Sequence, residues 1–387
     1  MVKARLLRIT TVPISLLILL KGQLQYMQLH GFDVLAVSAD GPEVSELTHL
    51  GIPHEVIPFT RSITLWKDLH CLFRLVRLIR KFHPDIVHTH TPKAGLLGMM
   101  AAWICRVPYR MHTVAGLPYQ ETQGLRRAIL RITELATYSF ARNVFPNSNG
   151  LLRYMQAEFP FHIRKYKVIG RGSSNGVDVN HYTVNDNLLV EQTHTRSRNN
   201  IPGDHFVYCF VGRLVRDKGI AELVQAFAQL SEQWNDVWLF LVGHFEQDHD
   251  PLPPDIKEQI IRHRRIIHEG FQRDIRPWVL ASNVLVLPSY REGFPNVLLQ
   301  AGCLLKPCIA TDINGCNEII QDQLTGLLIP TKDVQSLKSA MTKLYTDRNL
   351  GVRAGKDARN FISKNYDQLY IWNEILKEYQ KHLGLCI

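Results

Sequence analysis

The sequence predicts an α/β protein built from two doubly wound parallel-sheet domains, and three observations carry that prediction. Its strand-like runs are apolar along nearly their whole length, as in sheets covered on both faces. Helical patterns separate these runs from end to end, which is the signature of strand–helix–strand units. The runs fall into two series of six within 387 residues, enough chain for two domains each with its own core.

The first series is RLLRIT, FDVLAVS, HEVIPF, DIVHTH, YRMHTV and NVFPNS. Its opening imitates a secretory signal, because Lys3, Arg5 and Arg8 precede the apolar run VPISLLILL. Pro13 breaks that run, no small-residue cleavage site follows, and it is too short to span a bilayer. RLLRIT is therefore read as a first strand and residues 15–30 as the helix after it. The second series is FVYCFVG, VWLFLVG, RIIHEG, NVLVLPS, PCIATD and TGLLIP. Between the two lies NDNLLVEQTHTRSRNNIPGDH, residues 185–205, polar, without sustained periodicity and holding a Pro-Gly turn, so it reads as a linker. The expected domains are residues 1–184 and 206–365. A closing segment, 366–387, carries the amphipathic helix QLYIWNEILKEYQKHL.

Seven cysteines, at 71, 105, 209, 303, 308, 316 and 386, show no C-x-x-C pair and no regular spacing. That pattern favours reduced thiols in a reducing compartment and no zinc site. Net charge is +10, and its distribution says more than its size. Residues 1–180 hold 22 Lys and Arg against 11 Asp and Glu, whereas the remainder holds 23 against 24. In LWKDLHCLFRLVRLIRKF, Leu69, Leu72, Leu75, Val76 and Ile79 recur at helical spacing beside Arg74, Arg77, Arg80 and Lys81. LRRAILRI repeats the mixture at Arg126, Arg127 and Arg131. A solvated helix face explains any one cluster, but a basic half beside a neutral half is better explained by an anionic membrane surface or a lipid diphosphate. Nucleic acid is not expected as a partner, since no aromatic-basic RNA motif, zinc finger or helix-turn-helix signature is present.

Ligands of open parallel sheets collect beyond the carboxyl ends of the strands. Those places hold Lys21-Gly22, Ser38 to Gly41, His88 to Gly95 and His112 to Gly116 in the first half. In the second half they hold Gly212-Arg213, Gly243-His244, Gly270-Phe271, Arg291-Glu292 and Asp312 to Asn317. FVGRLVRDKG matches no Walker loop, yet Arg213 and Lys218 are two cations at one strand end, which suits a diphosphate. In REGFPNVLLQ, Pro295 fits the first turn of a helix, leaving the N–H groups of Asn296, Val297 and Leu298 as an anion site. Glu292 would repel a phosphate and is better placed to accept from sugar hydroxyls, with Gln300 two turns on for another hydroxylated group. Asp248-His249-Asp250 spells D-x-D, but in a proline-rich loop that no strand feeds, so no metal is expected. Gly170-x-Gly172 falls short of a dinucleotide fingerprint because position 175 is asparagine.

Taken in order, Arg213 with Lys218, the stretch from Glu292, TDINGCNEIIQDQLTGLLIP, and VIGRGSSNGVDVNHY before the linker resemble the retaining glycosyltransferases of family 4. DIVHTHTPKAGLLGMMAAWICRVP and HTVAGLP resemble the branch that builds capsular polysaccharide and lipopolysaccharide on a lipid carrier. The match extends across nearly the whole chain. It implies a GT-B architecture of two Rossmann-like domains facing across a cleft, with acceptor in the first, donor in the second and the last helix crossing back to the first. By motif position, Arg213 and Lys218 would hold the donor diphosphate, Glu292 the sugar hydroxyls, and Gly293 with the turn Phe294, Pro295, Asn296 and Val297 the phosphate. Gly212, Gly243, Phe271 and Gln300 complete the implied donor site. Gly22, Lys93 and His112 are the acceptor candidates, with Lys93 placed for a phosphate. Catalysis would rest on Glu292, Arg213, Lys218 and His112, without metal or cofactor. The donor would be a UDP-sugar, and the leaving phosphate would take the acceptor proton.

The chain departs from the pattern twice. The family's second glutamate, which holds the donor ribose, is Gln300 here; a neutral acceptor in place of a charged one weakens that hydrogen bond by roughly tenfold in affinity. In HTVAG, the place where many relatives carry a histidine near the reacting centre is Ala115, and His112 sits three residues earlier. The expected function is sugar transfer from a UDP-sugar, with retention, to a polyprenyl-diphosphate-linked saccharide at the cytoplasmic face of the membrane. The alternatives are a UDP-sugar 2-epimerase of the same fold and a catalytically weak partner in a polysaccharide assembly complex.

Overall fold

The computed structural model describes residues 3–60, 62, 64–117, 119, 122–246 and 250–384. Each run read as a strand forms one. These are β1 (Ala4–Ile9), β2 (Phe32–Ser38), β3 (His54–Val56), β4 (Ile86–His90), β5 (Tyr109–Val114), β6 (Asn143–Pro146), β7 (Phe206–Val211), β8 (Val237–Val242), β9 (Ile266–Glu269), β10 (Val284–Leu287), β11 (Cys308–Thr311) and β12 (Gly326–Ile329). Helices in the first half are α1 (Gln23–Leu29), α2 (Glu43–His49), α3 (Leu65–Phe82), α4 (Pro92–Ile104), α5 (Gly124–Phe140) and α6 (Asn149–Glu158). They continue with α7 (Asp186–Arg198), α8 (Ile220–Gln233), α9 (Pro254–Arg262), α10 (Arg276–Ala281), α11 (Asn296–Cys303), α12 (Cys316–Ile319), α13 (Val334–Thr346), α14 (Arg348–Asn365) and α15 (Gln368–Leu383). Two six-stranded sheets result, ordered β3-β2-β1-β4-β5-β6 and β12-β11-β10-β7-β8-β9, with every pairing parallel.

Two units divide the chain: Met1–Gly176 with Gln368–Ile387, and Val177–Asp367. The stretch 185–205 is therefore not a linker. Asn185 caps α7 by accepting from the Leu188 N–H at 3.0 Å, Leu188 and Thr195 are buried, and α7 packs on α10 inside the second unit. Its mostly polar surface hides this helix from a periodicity reading. Residues 15–30 are likewise not one helix. A wide turn at Ser15–Leu19 gives way to α1 after Gly22, whose φ of 79° breaks the coil. Six described cysteines are free thiols, and Cys386, like Asp248 and His249, lies outside the described residues.

Right-handed crossovers place α3, α4 and α5 on one face of the first sheet and α1 and α2 on the other. α15 joins the second of these faces, where Ile371, Ile375, Leu376 and Tyr379 bury with Leu24, Met27 and Phe32. Tyr379 also meets a guanidinium in the core. Arg8, fully buried, contacts His88 Nδ1 at 3.1 Å and His90 Nε2 at 2.7 Å, and donates to Gln23 Oε1 at 2.6 Å and to the Tyr379 hydroxyl. Burial and the neighbouring Arg8 hold both imidazoles well below the usual histidine range, so they stay neutral and accept from the guanidinium. On the other face of the sheet, His112 of β5 is buried beside Thr89 Oγ1 at 2.8 Å, and burial lowers its pKa to about 4.

Two predictions follow from this packing. The unfolded chain protonates His112 below the ordinary value of 6.5 while the folded chain resists until about pH 4, so stability falls with pH across that window. Between pH 6.5 and about 5 the His112 contribution is a loss of about 2 kcal/mol, read as a falling urea midpoint; His112→Asn flattens that slope. In the second unit, a Cβ at Gly243 would lie 1.9 Å from the Gly212 carbonyl oxygen, at φ 146°. Gly243→Ala should destabilise this unit by roughly 2 kcal/mol or more in thermal unfolding, since only backbone displacement relieves the clash.

Candidate functional site

At the carboxyl edge of the second sheet, the loop after β7 and the loop after β10 are joined by a partly buried ion pair. Lys218 Nζ lies 2.6 Å from Glu292 Oε1, and Ser289 Oγ donates to the same oxygen at 2.7 Å. A second pair runs alongside, Arg291 to Asp217 Oδ2 at 2.8 Å, and the Tyr290 N–H donates to the Asp217 carbonyl at 2.8 Å. The loop after β11 closes over both. Asn314 Nδ2 lies 3.4 Å from the carbonyls of Glu292 and Gly293, and a Cβ at Gly315, where φ is 80°, would stand 2.4 Å from the Gly293 oxygen. Glycine is needed there.

By sequence, Lys218 is expected on a phosphate and Glu292 on a sugar; in the ligand-free structure the two engage each other. Both contacts described for the Glu292 side chain fall on Oε1. Lys218 carries three N–H donors, of which this pair uses one. Arg213, directly after β7, is half exposed and only loosely engaged, 3.4 Å from Glu246 Oε2. Gly212 and Gly243 line the same edge through the close approach already noted. Phe271, after β9, is exposed and stacks on His244 with centroids 5.6 Å apart and planes 20° from parallel. That makes a flat aromatic step at the strand ends.

α11 begins at Asn296, one residue later than the sequence predicts. Pro295 is the capping residue, with φ −77° and ψ 100°, and Phe294 is buried against Tyr366. The Leu298 N–H is not free, because the tight first turn directs it to the Pro295 carbonyl at 3.1 Å. The anion site reduces to the N–H groups of Asn296 and Val297, which have no partner among the described residues. Gln300 sits one turn after Asn296 on the same face, half buried.

In the first unit, Gly22 lies at the start of α1 against the Trp372 ring. Lys93 is not open to a phosphate. Its ammonium binds Asp68 Oδ1 at 2.6 Å, Thr60 Oγ1 at 2.7 Å and the Ser62 carbonyl, which occupies all three donors in pinning the start of α3 to α4. His112 is not at the strand end either: it points under α4, where a Cβ on Gly95 would meet its ring at 2.5 Å. His88 and His90 share one strand face, stacked 4.7 Å apart on Arg8.

The sequence missed the groups that hold these positions. Ser289 and Asp217 flank the motifs closely enough that strand-end position alone could flag them, and Asn314 lies inside the strand-end stretch Asp312 to Asn317 without being singled out there. Arg8 could not be found that way, since a charged residue inside an apolar strand reads as an error in the pattern. Through Gln23, whose Nε2 donates to the Ser174 carbonyl at 3.1 Å and Asn175 Oδ1 at 3.0 Å, Arg8 fixes the Lys21–Gln23 turn to the segment before the second unit.

Comparison with known proteins agrees with this geometry. The model described as "Glycosyl transferase 4-like domain" matches residues 21–172, and "Glycosyl transferases group 1" matches residues 191–361. The chain is 30% identical over 365 residues to the capsular polysaccharide biosynthesis glycosyltransferase CapM of Staphylococcus aureus, covering 94% of each. It is also 30% identical over 312 residues to an Escherichia coli enzyme named UDP-Gal:alpha-D-GlcNAc-diphosphoundecaprenol alpha-1,3-galactosyltransferase, covering 79% of this chain and 78% of that one. Among solved structures, Anabaena HepE in complex with UDP-glucose is similar in fold, with a TM-score of 0.80 at 21% identity over 97% of this chain and 99% of that one. Motifs, topology and relatives converge: the chain belongs to the group 1, family 4 glycosyltransferases of the GT-B fold, in the branch that includes capsular polysaccharide enzymes.

Proposed function

We propose that the protein transfers a sugar from a UDP-sugar to a polyprenyl-diphosphate-linked saccharide in surface polysaccharide assembly, retaining the anomeric configuration and using no metal. One observation carries the reading: a carboxylate held on an ammonium beside two open N–H groups of α11, at a strand edge that also presents Arg213. The names of the Staphylococcus aureus and Escherichia coli relatives support the pathway and the lipid-linked acceptor, and the HepE complex supports a UDP donor.

In this reading Arg213 and the N–H groups of Asn296 and Val297 take the donor β-phosphate. Lys218 uses its remaining donors on the diphosphate while staying on Glu292, and Glu292 accepts from the sugar hydroxyls. Phe271 and His244 stack on the base, and Gln300 accepts from the ribose. The bond from the anomeric carbon to the β-phosphate oxygen breaks, the bond to the acceptor oxygen forms on the same face, and the acceptor proton passes to the departing phosphate. The positive groups meet the charge that grows on UDP as it leaves. The first unit holds the acceptor, with the Gly22 turn as its candidate contact, at the inner face of the cytoplasmic membrane. No described helix is long and apolar enough to cross a membrane, so the attachment proposed is peripheral.

Glu292→Gln should lower transfer by about 100-fold or more. UDP affinity by calorimetry should stay level or rise, because Lys218 loses its competitor; equal loss of both would refute the role of Glu292. Lys218→Met should weaken UDP binding by about tenfold, and Gln300→Glu should strengthen it by about as much. Transfer is measured by mass spectrometry of a lipid-linked acceptor incubated with a panel of UDP-sugars, with and without EDTA. Strict dependence on a divalent ion would overturn the charge assignment, and conversion of a UDP-sugar without acceptor would favour the epimerase.

A further inference from the structure

Arg8 is a fully buried cation with no carboxylate among its described contacts, and the groups around it show what it does there. In the register of β1 and β4 it lies beside His88, and His90 follows two residues on along the same face. A guanidinium only donates, so each imidazole accepts at the nitrogen it turns to Arg8: Nδ1 of His88 and Nε2 of His90. Both rings are neutral, so each carries its single proton on the other nitrogen. His88 Nε2–H therefore donates to Thr113 Oγ1 at 2.8 Å. His90 Nδ1–H is left without a partner among the described residues, although His90 is only 5% exposed.

His90 is part of the wall of a small, partly open cavity at the carboxyl edge of the first sheet. His90, Thr113 and Phe145, from the ends of β4, β5 and β6, are register neighbours along that wall, and Ser174 and Ile375 complete it. Two more polar atoms of the wall are buried without a partner, Asn147 Oδ1 and Ser174 Oγ. The amide nitrogen of Asn147 is used, lying 3.4 Å from the Ala115 carbonyl, so only its oxygen waits for a donor. No charged residue lines the space, and at about 20 Å³ it holds one group the size of a water. Its occupant is thus small and uncharged. It must give a hydrogen to Asn147 and can take one from His90 or Ser174, which are the terms a hydroxyl meets.

We infer that this cavity reads one hydroxyl of the acceptor saccharide through His90, Asn147 and Ser174, and that Arg8 is the positioning residue that keeps His90 a donor at Nδ1. This rests on the saccharide acceptor proposed above and deepens it, by naming the residues that choose among sugars. A structural water needs no such device, because it can turn to suit either tautomer of a histidine. A hydroxyl fixed on a sugar ring arrives from one direction, and here its donor and its acceptor are set before it arrives. The place agrees, since ligands of open parallel sheets collect beyond the carboxyl ends of the strands. A sugar that lacks this hydroxyl leaves buried polar atoms unpaired, and that penalty, more than the bond itself, is what rejects it.

Histidine NMR spectra of the full-length, isotope-labelled protein saturated with UDP should show His90 protonated at Nδ1 and His88 at Nε2. Titration with the methyl glycosides of glucose, galactose, N-acetylglucosamine and N-acetylgalactosamine should move the His90 signal for at least one of them. The monodeoxy analogue lacking the matched hydroxyl should bind roughly tenfold or more weakly, while the other monodeoxy analogues bind like the parent sugar. Asn147→Ala and Ser174→Ala should each erase most of that difference. Ser174→Ala should leave the melting temperature unchanged, because its hydroxyl holds nothing in the ligand-free protein, and Ser174→Val, which fills the space, should abolish the shift. His90 protonated at Nε2 overturns the proposal. So does a His90 signal that no glycoside moves, which assigns the cavity to an ordered water alone, or a deoxy penalty that survives both alanine variants. Binding and transfer fail separately: a glycoside that moves His90 while no lipid-linked saccharide is elongated leaves the pocket standing and removes the acceptor reading. Elongation of a lipid-linked saccharide with no glycoside moving His90 does the reverse.

Discussion

The second unit is organised around one contact, the 2.6 Å pair of Lys218 and Glu292. It joins the loop after β7 to the loop after β10, which are neighbours in the sheet but nearly 75 residues apart in sequence. Side-chain exposures of 17 and 13% put the pair where removing either partner strands a charge in a poorly hydrated place. Ser289, Asn314 and the Arg291–Asp217 pair hold the loops so that this meeting recurs in one geometry. A partly buried pair of this kind contributes little net stability by itself, because desolvation offsets attraction. Its value is positional: it sets a carboxylate and an ammonium at fixed places beside the start of α11 before any ligand arrives.

Most of the fold was legible because parallel strands covered on both faces leave a strong mark. FVYCFVG and VWLFLVG are apolar at consecutive positions, and no surface helix of ordinary amphipathicity imitates them. The failures are where burial is small. α7 buries only Leu188 and Thr195 among its thirteen residues, so its apolar periodicity is too weak to see, and Asn185, the residue that announces it, sits in a stretch crowded with other polar residues. The broken helix after β1 turns on the geometry of Gly22, which composition does not reveal.

Site residues divided along a similar line. Groups flagged in the second unit do share one sheet edge in the structure, because the reading looks for particular residue types directly after particular strands. Which partner each would choose in the ligand-free protein was not legible, since Lys218, Arg213 and Glu292 are all within reach of one another's loops. In the first unit, alternation along β4 and β5 decides the matter. Thr89 and His112 point under α4, His88 and His90 point toward Arg8 and α15, and a sequence shows only that neighbours face opposite ways. Lys93 was misjudged because its three acceptors come from Thr60, Ser62 and Asp68, more than twenty residues before it.

Charge counting shows why the ligand-free pairing suits the proposed reaction. Without a ligand, Glu292 neutralises Lys218, while Arg213, held only loosely by Glu246, and the α11 N–H groups remain as positive features of the edge. In the proposed complex, a bound diphosphate would add negative charge that Arg213 and Lys218 together offset, while sugar hydroxyls would give Glu292 hydrogen-bond donors. When the bond to the anomeric carbon breaks, the β-phosphate gains a further charge, and the groups facing it are backbone dipoles and a guanidinium already in place. Little reorganisation is then required at the moment charge moves, which is the condition under which such groups lower a barrier most. An uncompensated lysine would attract the diphosphate more strongly in the ground state as well, deepening binding without speeding departure. In the proposed reaction Glu292 thus restrains Lys218 until the sugar is present, which would hold down ground-state attraction to free UDP while the transition state keeps its full set of partners.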